Sequence, residues 1–81
     1  MVGGSILFAG SALAVDIENA DGEDHTVAIV NGDGTSEKVL VPTGGVASNV
    51  CKSCEISLGQ SVIEASEDEV VTIANGELTQ E

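Results

Sequence analysis

Two cysteines three apart, Cys51-Lys52-Ser53-Cys54, and a single histidine, His25, are the residues of this chain whose types and spacing could do chemistry. The cysteines admit four uses. The first is a structural disulfide: an even pair with none left over fits an oxidising compartment. So short a loop constrains the unfolded chain little, so the bond should contribute less than the usual ~2–4 kcal/mol. It would pin the entry to a strand beginning at Cys54. The second is a thioredoxin-type redox pair, which wants its first cysteine at a helix N-terminus near a cation. Here Glu55-Ile56-Ser57-Leu58-Gly59 reads as strand, and an acidic chain favours the neutral thiol, with only Lys52 opposing. The third is metal. Two thiolates are half of a tetrahedral zinc site; His25 is a candidate third ligand and a carboxylate a fourth, although nothing in the spacing makes them meet. Copper(I) accepts two thiolates, but copper carriers place their CxxC near the N-terminus, just ahead of a helix. A blue-copper site needs two histidines, and this chain has one. The fourth use is free thiols or bonds to another chain. The disulfide ranks first, zinc or copper handling by Cys51, Cys54 and His25 second, and thiol–disulfide exchange third. A lone histidine at the start of a strand is more often a surface or satisfied residue than a ligand.

The remaining chemistry is thin. An EF-hand loop aligned on Gly22 or Gly34 places Ile17 or Ile29 at its first position and Ala28 or Leu40 at its last, where acids are required. Asp21, Glu23, Asp24 and Asp33 could hold calcium loosely, but they read first as solvated turns. No Gly-x-Ser-x-Gly elbow and no phosphate-cradling glycine loop is present. Fourteen acids make any catalytic carboxylate pair easy to nominate and uninformative. A small sandwich also has little volume for the concave pocket such a pair needs. The expectation is a non-enzyme with no cofactor.

The balance of charge narrows the partners. Fourteen acids against two lysines give a formal charge of −12 on 81 residues. Such a chain repels phosphates and lacks the basic stripe that nucleic-acid binding needs. Anionic membranes are disfavoured on the same ground. A protein partner, basic in character, is compatible with it. The 42% hydrophobic content, rich in Val and Ile, argues for a folded chain.

Residues 1–14 carry no charge. Ile6-Leu7-Phe8-Ala9 and the closing Ala12-Leu13-Ala14 match the apolar run and small-x-small cleavage pattern of a secretory signal. The basic start of such a signal is missing, as it would be if translation began upstream of Met1. At about fourteen residues the run is short of the roughly 20 that span a bilayer. Residues 1–14 are therefore read as a signal-peptide remnant and residues 15–81 as one β domain. It would be periplasmic or secreted from a bacterium, with no stable membrane insertion after cleavage. The only aromatic, Phe8, would leave with the signal while all the charged residues stay. That excludes base stacking and aromatic cages.

The elements that must position Cys51, Cys54 and His25 are short β-runs between turns. Val15-Asp16-Ile17-Glu18 alternates apolar and acidic, and residues 19–24 form a loop. His25–Val30 reads as a central strand. Asn31-Gly32-Asp33-Gly34 is a hairpin signal, because Asn-Gly and Asp-Gly readily take positive φ. Glu37–Val41 returns, and Pro42-Thr43-Gly44-Gly45 ends it. Cys54–Leu58, Ser61–Ala65 and Val70–Ala74 follow, with Asn75-Gly76 leading into a last short pairing through Leu78. About six strands at roughly ten-residue spacing predict an all-β fold, a small antiparallel β-sandwich or barrel. Val15-Asp-Ile-Glu-Asn is faintly echoed by Val71-Thr-Ile-Ala-Asn.

Laid out in this way, the chain resembles a group of small secreted proteobacterial β-proteins that have a CxxC and no assigned function. The shared pattern runs Ile17-Glu-Asn19-x-Asp21, His25-x-Val27-x-Ile29, Lys38-Val-Leu-Val-Pro42-x-Gly44 and Val50-Cys51-x-x-Cys54-x-Ile56-x-Leu58. Glu64-Ala65 and Glu69-Val-Val-x-Ile73-x-Asn75-Gly76-x-Leu78 complete it. The resemblance implies no catalytic residues. The opening Asn-…-His-x-Val is also similar to the first part of cupredoxin domains, which implies a fold only, because the other copper ligands are absent. The functional expectation is an exported binding or accessory module stapled by Cys51–Cys54.

Overall fold

The computed structural model describes residues 14–80, and residues 1–13, where most of the expected signal remnant falls, lie outside them. Eight strands follow one another: β1 (Val15–Asn19), β2 (His25–Asn31), β3 (Ser36–Val41), β4 (Val46–Cys51), β5 (Ser53–Leu58), β6 (Ser61–Ser66), β7 (Val70–Ala74) and β8 (Glu77–Gln80). No helix occurs among the described residues, and hence none long and apolar enough to cross a membrane. The strands form two four-stranded sheets, ordered β4-β1-β7-β8 and β3-β2-β5-β6. The fold is the expected all-β sandwich rather than a barrel.

Period-2 alternation builds the core. Val15 and Ile17 on β1, Val27 and Ile29 on β2, Ile56 on β5, and Val71 and Ile73 on β7 are wholly buried, with Val41, Leu78, Ala65 and both cysteines beside them. β-branched side chains suit this arrangement because they pack on a pleated surface with little rotamer freedom to lose. No aromatic takes part among the described residues.

Three sequence expectations change. The strands among the described residues number eight, not about six. The one with no counterpart in the sequence pattern is β4, whose Val46-Ala-Ser-Asn-Val-Cys lacks alternation. It lies at a sheet edge, and Asn49 takes a φ of 58° with its N–H donated to Asp16 Oδ1 at 2.9 Å. The register of β1 against β4 shifts between Val15 and Ile17, so this irregular strand is held by a side chain as well as by its ladder.

The pairing is also not wholly antiparallel. β1 and β7 run parallel, with Ile17 opposite Val71 and Asn19 opposite Ile73. The two segments that echo one another in sequence are therefore sheet neighbours, offset by two residues, which keeps their apolar positions on one face.

Thirdly, the Asn31–Gly34 hairpin is closed by Gly34 N–H to Asn31 C=O and Asn31 N–H to Thr35 C=O, and only Gly34 has positive φ. This is the three-residue hairpin in which a left-handed glycine follows the turn. The two-residue turn with positive φ at both positions occurs instead at Asn75-Gly76.

Among the described residues the chain crosses between the sheets four times, twice at each end of the sandwich. Residues 20–24 and 42–45 cross at the end where His25 lies. Lys52 and residues 67–69 cross at the opposite end, where the cysteines lie.

Candidate functional site

Cys51 closes β4 and Cys54 is the second residue of β5, so their side chains flank the crossing at Lys52. They are joined in a disulfide, with Cα atoms 6.2 Å apart. Both are nearly buried, and the bond ties one sheet to the other as well as pinning the entry to β5. No helix among the described residues presents an N-terminus to either sulfur, the feature that lowers a redox thiol's pKa.

The structure does not bring His25 to the cysteines. Cys54 pairs with Asn31 at one end of β2, whereas His25 begins that strand. At ~3.3 Å per residue the two are roughly 20 Å apart. Thus the ligand set Cys51, Cys54 and His25 is not assembled, and both sulfurs are engaged with each other.

A shallow groove of about 630 Å³ runs beside the disulfide, lined by Val30, Gly32, Cys54, Glu55, Glu64 and Glu69 among others. Glu55 and Glu64 stand directly opposite each other across β5 and β6. Both point outward and are exposed. Directly opposed like charges destabilise a sheet. The only ion pair among the described residues is His25–Asp21, so neither Glu55 nor Glu64 has a cationic partner there. Glu69 is fixed in the groove by two donors, the Ser66 N–H to its Oε1 at 2.6 Å and the Gln80 amide at 3.2 Å.

The other end is organised by Asn19, a residue whose sequence context reads as loop. It is the last residue of β1 and 1% exposed. Its amide donates to the Val41 carbonyl on the facing sheet at 2.8 Å and to the Glu23 carbonyl at 2.9 Å. Its Oδ1 accepts the Asp21 N–H at 2.8 Å. Its backbone bonds to Gly44 and Gly45. One buried residue thus joins β1, β3 and both crossings at this end, its side-chain amide reaching β3 and residues 20–24 and its backbone residues 42–45. The signal for it was in the alternation: Val15 and Ile17 point inward, and two further residues put Asn19 on the same face.

Asp21 extends this network. Its Oδ2 lies 2.8 Å from His25 Nε2 and accepts the Gly76 N–H at 2.9 Å, and its Oδ1 accepts the Gly22 N–H at 3.0 Å. The bond to His25 first, then those to Gly76 and Gly22, hold the Asp21 carboxyl below its ordinary range. Asp33, in the hairpin at the disulfide end, is also lowered, by the Thr35 hydroxyl and then the Thr35 N–H.

Comparison with protein-family models, curated proteins and solved structures finds no match to this chain.

Proposed function

We propose that the chain is an exported, non-catalytic binding module that holds a basic segment of a partner protein in the groove beside its disulfide. The observation that carries this reading is the opposed Glu55–Glu64 pair, which has no cation beside it among the described residues. Two carboxylates held across a strand pair at a stability cost are better accounted for by an incoming cation than by solubility, which the acidic turns already supply. Val30 adds an exposed apolar wall to the same groove. The disulfide and the Ala12-Leu13-Ala14 pattern support export, and cleavage there would start the mature chain at the first residue of β1. In support of a non-catalytic role, no hydroxyl or thiol among the described residues is hydrogen-bonded to His25, whose partner is Asp21.

The test is an NMR titration with a tetralysine peptide at low ionic strength. Amide shifts concentrated on residues 53–55 and 64–66, abolished in E55Q/E64Q and weakened by salt, are expected. Shifts spread over every acidic turn, or unchanged by that double substitution, would overturn the groove. Export is tested separately by the intact mass of protein recovered from the periplasm or medium, expected to begin at Val15 and to be two hydrogens lighter than the dithiol. A full-length mass or two free thiols would count against it.

A further inference from the structure

We propose that Asp21, Glu23 and His25, at the end of the sandwich away from the disulfide, form a binding site for one divalent transition-metal ion of the zinc type. The ligand atoms these three residues offer all lie within 4.8 Å of one another. The set is an imidazole nitrogen with two carboxylate oxygens, donors that zinc accepts at ~2.0–2.2 Å. Calcium takes six to eight oxygens, so three protein donors that include a nitrogen suit it poorly, and the imidazole directs the site towards zinc and its neighbours.

Three further observations set this cluster apart from a patch of surface acids. The His25 side chain is 13% exposed and the Asp21 side chain 22%, so the imidazole is largely covered and one of the two carboxylates partly so. The Glu23 carboxylate has no hydrogen-bond or ionic partner among the described residues, although it lies beside a second carboxylate. The backbone carrying all three is already fixed. Asn19 holds the Glu23 carbonyl and the Asp21 N–H, and His25 sits in the β2–β3 ladder opposite Val41. Metal binding would therefore order side chains only.

The required movement is small. Two donors at ~2.05 Å from zinc and at the tetrahedral angle lie about 3.4 Å apart. His25 Nε2 and Asp21 Oδ2 now stand at 2.8 Å and need to part by roughly half an ångström. The ring then carries its hydrogen on Nδ1, leaving the Nε2 lone pair for the metal. Asp21 Oδ2 can meanwhile keep the Gly76 N–H. Three protein ligands leave the fourth tetrahedral position to water or to a ligand from another molecule. This site shares no residue with the groove beside the disulfide, and either can stand without the other.

The test uses the whole protein with its disulfide intact. Zinc is titrated calorimetrically, and the His25 ring and the Glu23 carboxylate are followed by NMR. One equivalent is expected, with shifts confined to Asp21, Glu23, His25 and the Asn75-Gly76 turn. His25→Ala is expected to weaken binding by roughly 100-fold or more, because losing a ligand exceeds the ~10–100-fold cost of losing a ligand's partner. Glu23→Gln is the second variant: its side chain is exposed and unpaired among the described residues, so it should fold normally and still bind zinc more weakly. C51S/C54S should bind as the parent does. The proposal is overturned by no binding, by several equivalents that survive both ligand substitutions, by millimolar calcium displacing the zinc, or by loss of binding in C51S/C54S.

Discussion

Each end of the sandwich carries two crossings between the sheets, and the two ends secure them by different means. At one end a covalent bond, Cys51–Cys54, flanks the crossing at Lys52. At the other, no covalent bond is present among the described residues, and a single buried residue, Asn19, gathers both crossing loops: its side-chain amide bonds to Val41, Glu23 and Asp21, and its backbone to Gly44 and Gly45. The cysteines draw attention in the sequence, yet the amide is the stronger tie. A disulfide acts mainly by restricting the unfolded chain, and a four-residue loop restricts it by only about 2 kcal/mol in the chain-entropy treatment. A buried amide acts in the folded state. Its removal takes away one buried and two part-buried hydrogen bonds, at about 1–3 kcal/mol wherever a buried group is left without a partner.

The sharpest way to break that ranking is to remove each device in turn. Asn19→Ala is expected to cost roughly 2–4 kcal/mol, more than the loss of the disulfide, because three side-chain hydrogen bonds at a 1% exposed position are lost together, the one to Val41 wholly buried. Denaturant unfolding followed by circular dichroism measures it. C51S/C54S is expected to cost less, about 1–2 kcal/mol, and to unfold with the same cooperativity. Should the cysteine variant prove the less stable of the two, the amide is not the principal tie between the sheets.

The groove at the disulfide end supplies a change of opposite sign. Glu64→Lys converts the opposed like charges at Glu55 into a cross-strand ion pair and should stabilise the protein by about 0.5–1 kcal/mol. The same substitution should abolish tetralysine binding. Stabilisation without loss of binding would mean that the pair is a defect of the sheet and no part of a contact surface.

Much of this architecture was legible in the sequence. Strands with clean alternation declare themselves, because a residue type repeated at period 2 reports its own face. The edge strand β4 does not, because an irregular strand takes its place from its partners: Ala47 and Val46 pair with Ile17 and Glu18, and Asp16 bonds to Asn49. The parallel β1–β7 pairing was visible only as an echo, since similarity between segments does not state that they are adjacent. For the candidate sites, the spacing of Cys51 and Cys54 carried their bond. Asp21, Glu23 and His25 are close in sequence, but an exposed loop gives no sign of which carboxylates face one imidazole. That depended on Asn19, whose importance lies in contacts 22 residues away along the chain.

The smallest effect is a contrast in acid sensitivity between the ends. Asp21 and Asp33 each sit below the ordinary carboxyl value of 3.8 in the folded protein, one at each end. A carboxyl depressed on folding contributes stability above its unfolded pKa and loses it as pH falls through its folded value. Both contributions are therefore present at neutral pH and fade below about 3.8. Asp33 is held by Thr35 and by its own backbone, within one hairpin. Asp21 is held by His25, Gly76 and Gly22, so it ties the β7–β8 turn to the start of β2. Urea midpoints measured between pH 5 and pH 2, with chelator present, should fall less steeply in Asp21→Asn than in the parent. Asp33→Asn should flatten the curve by a smaller amount. Equal flattening in the two variants would remove the distinction, because acid would then act on each carboxyl as a local matter and not on the tie between the β7–β8 turn and the start of β2.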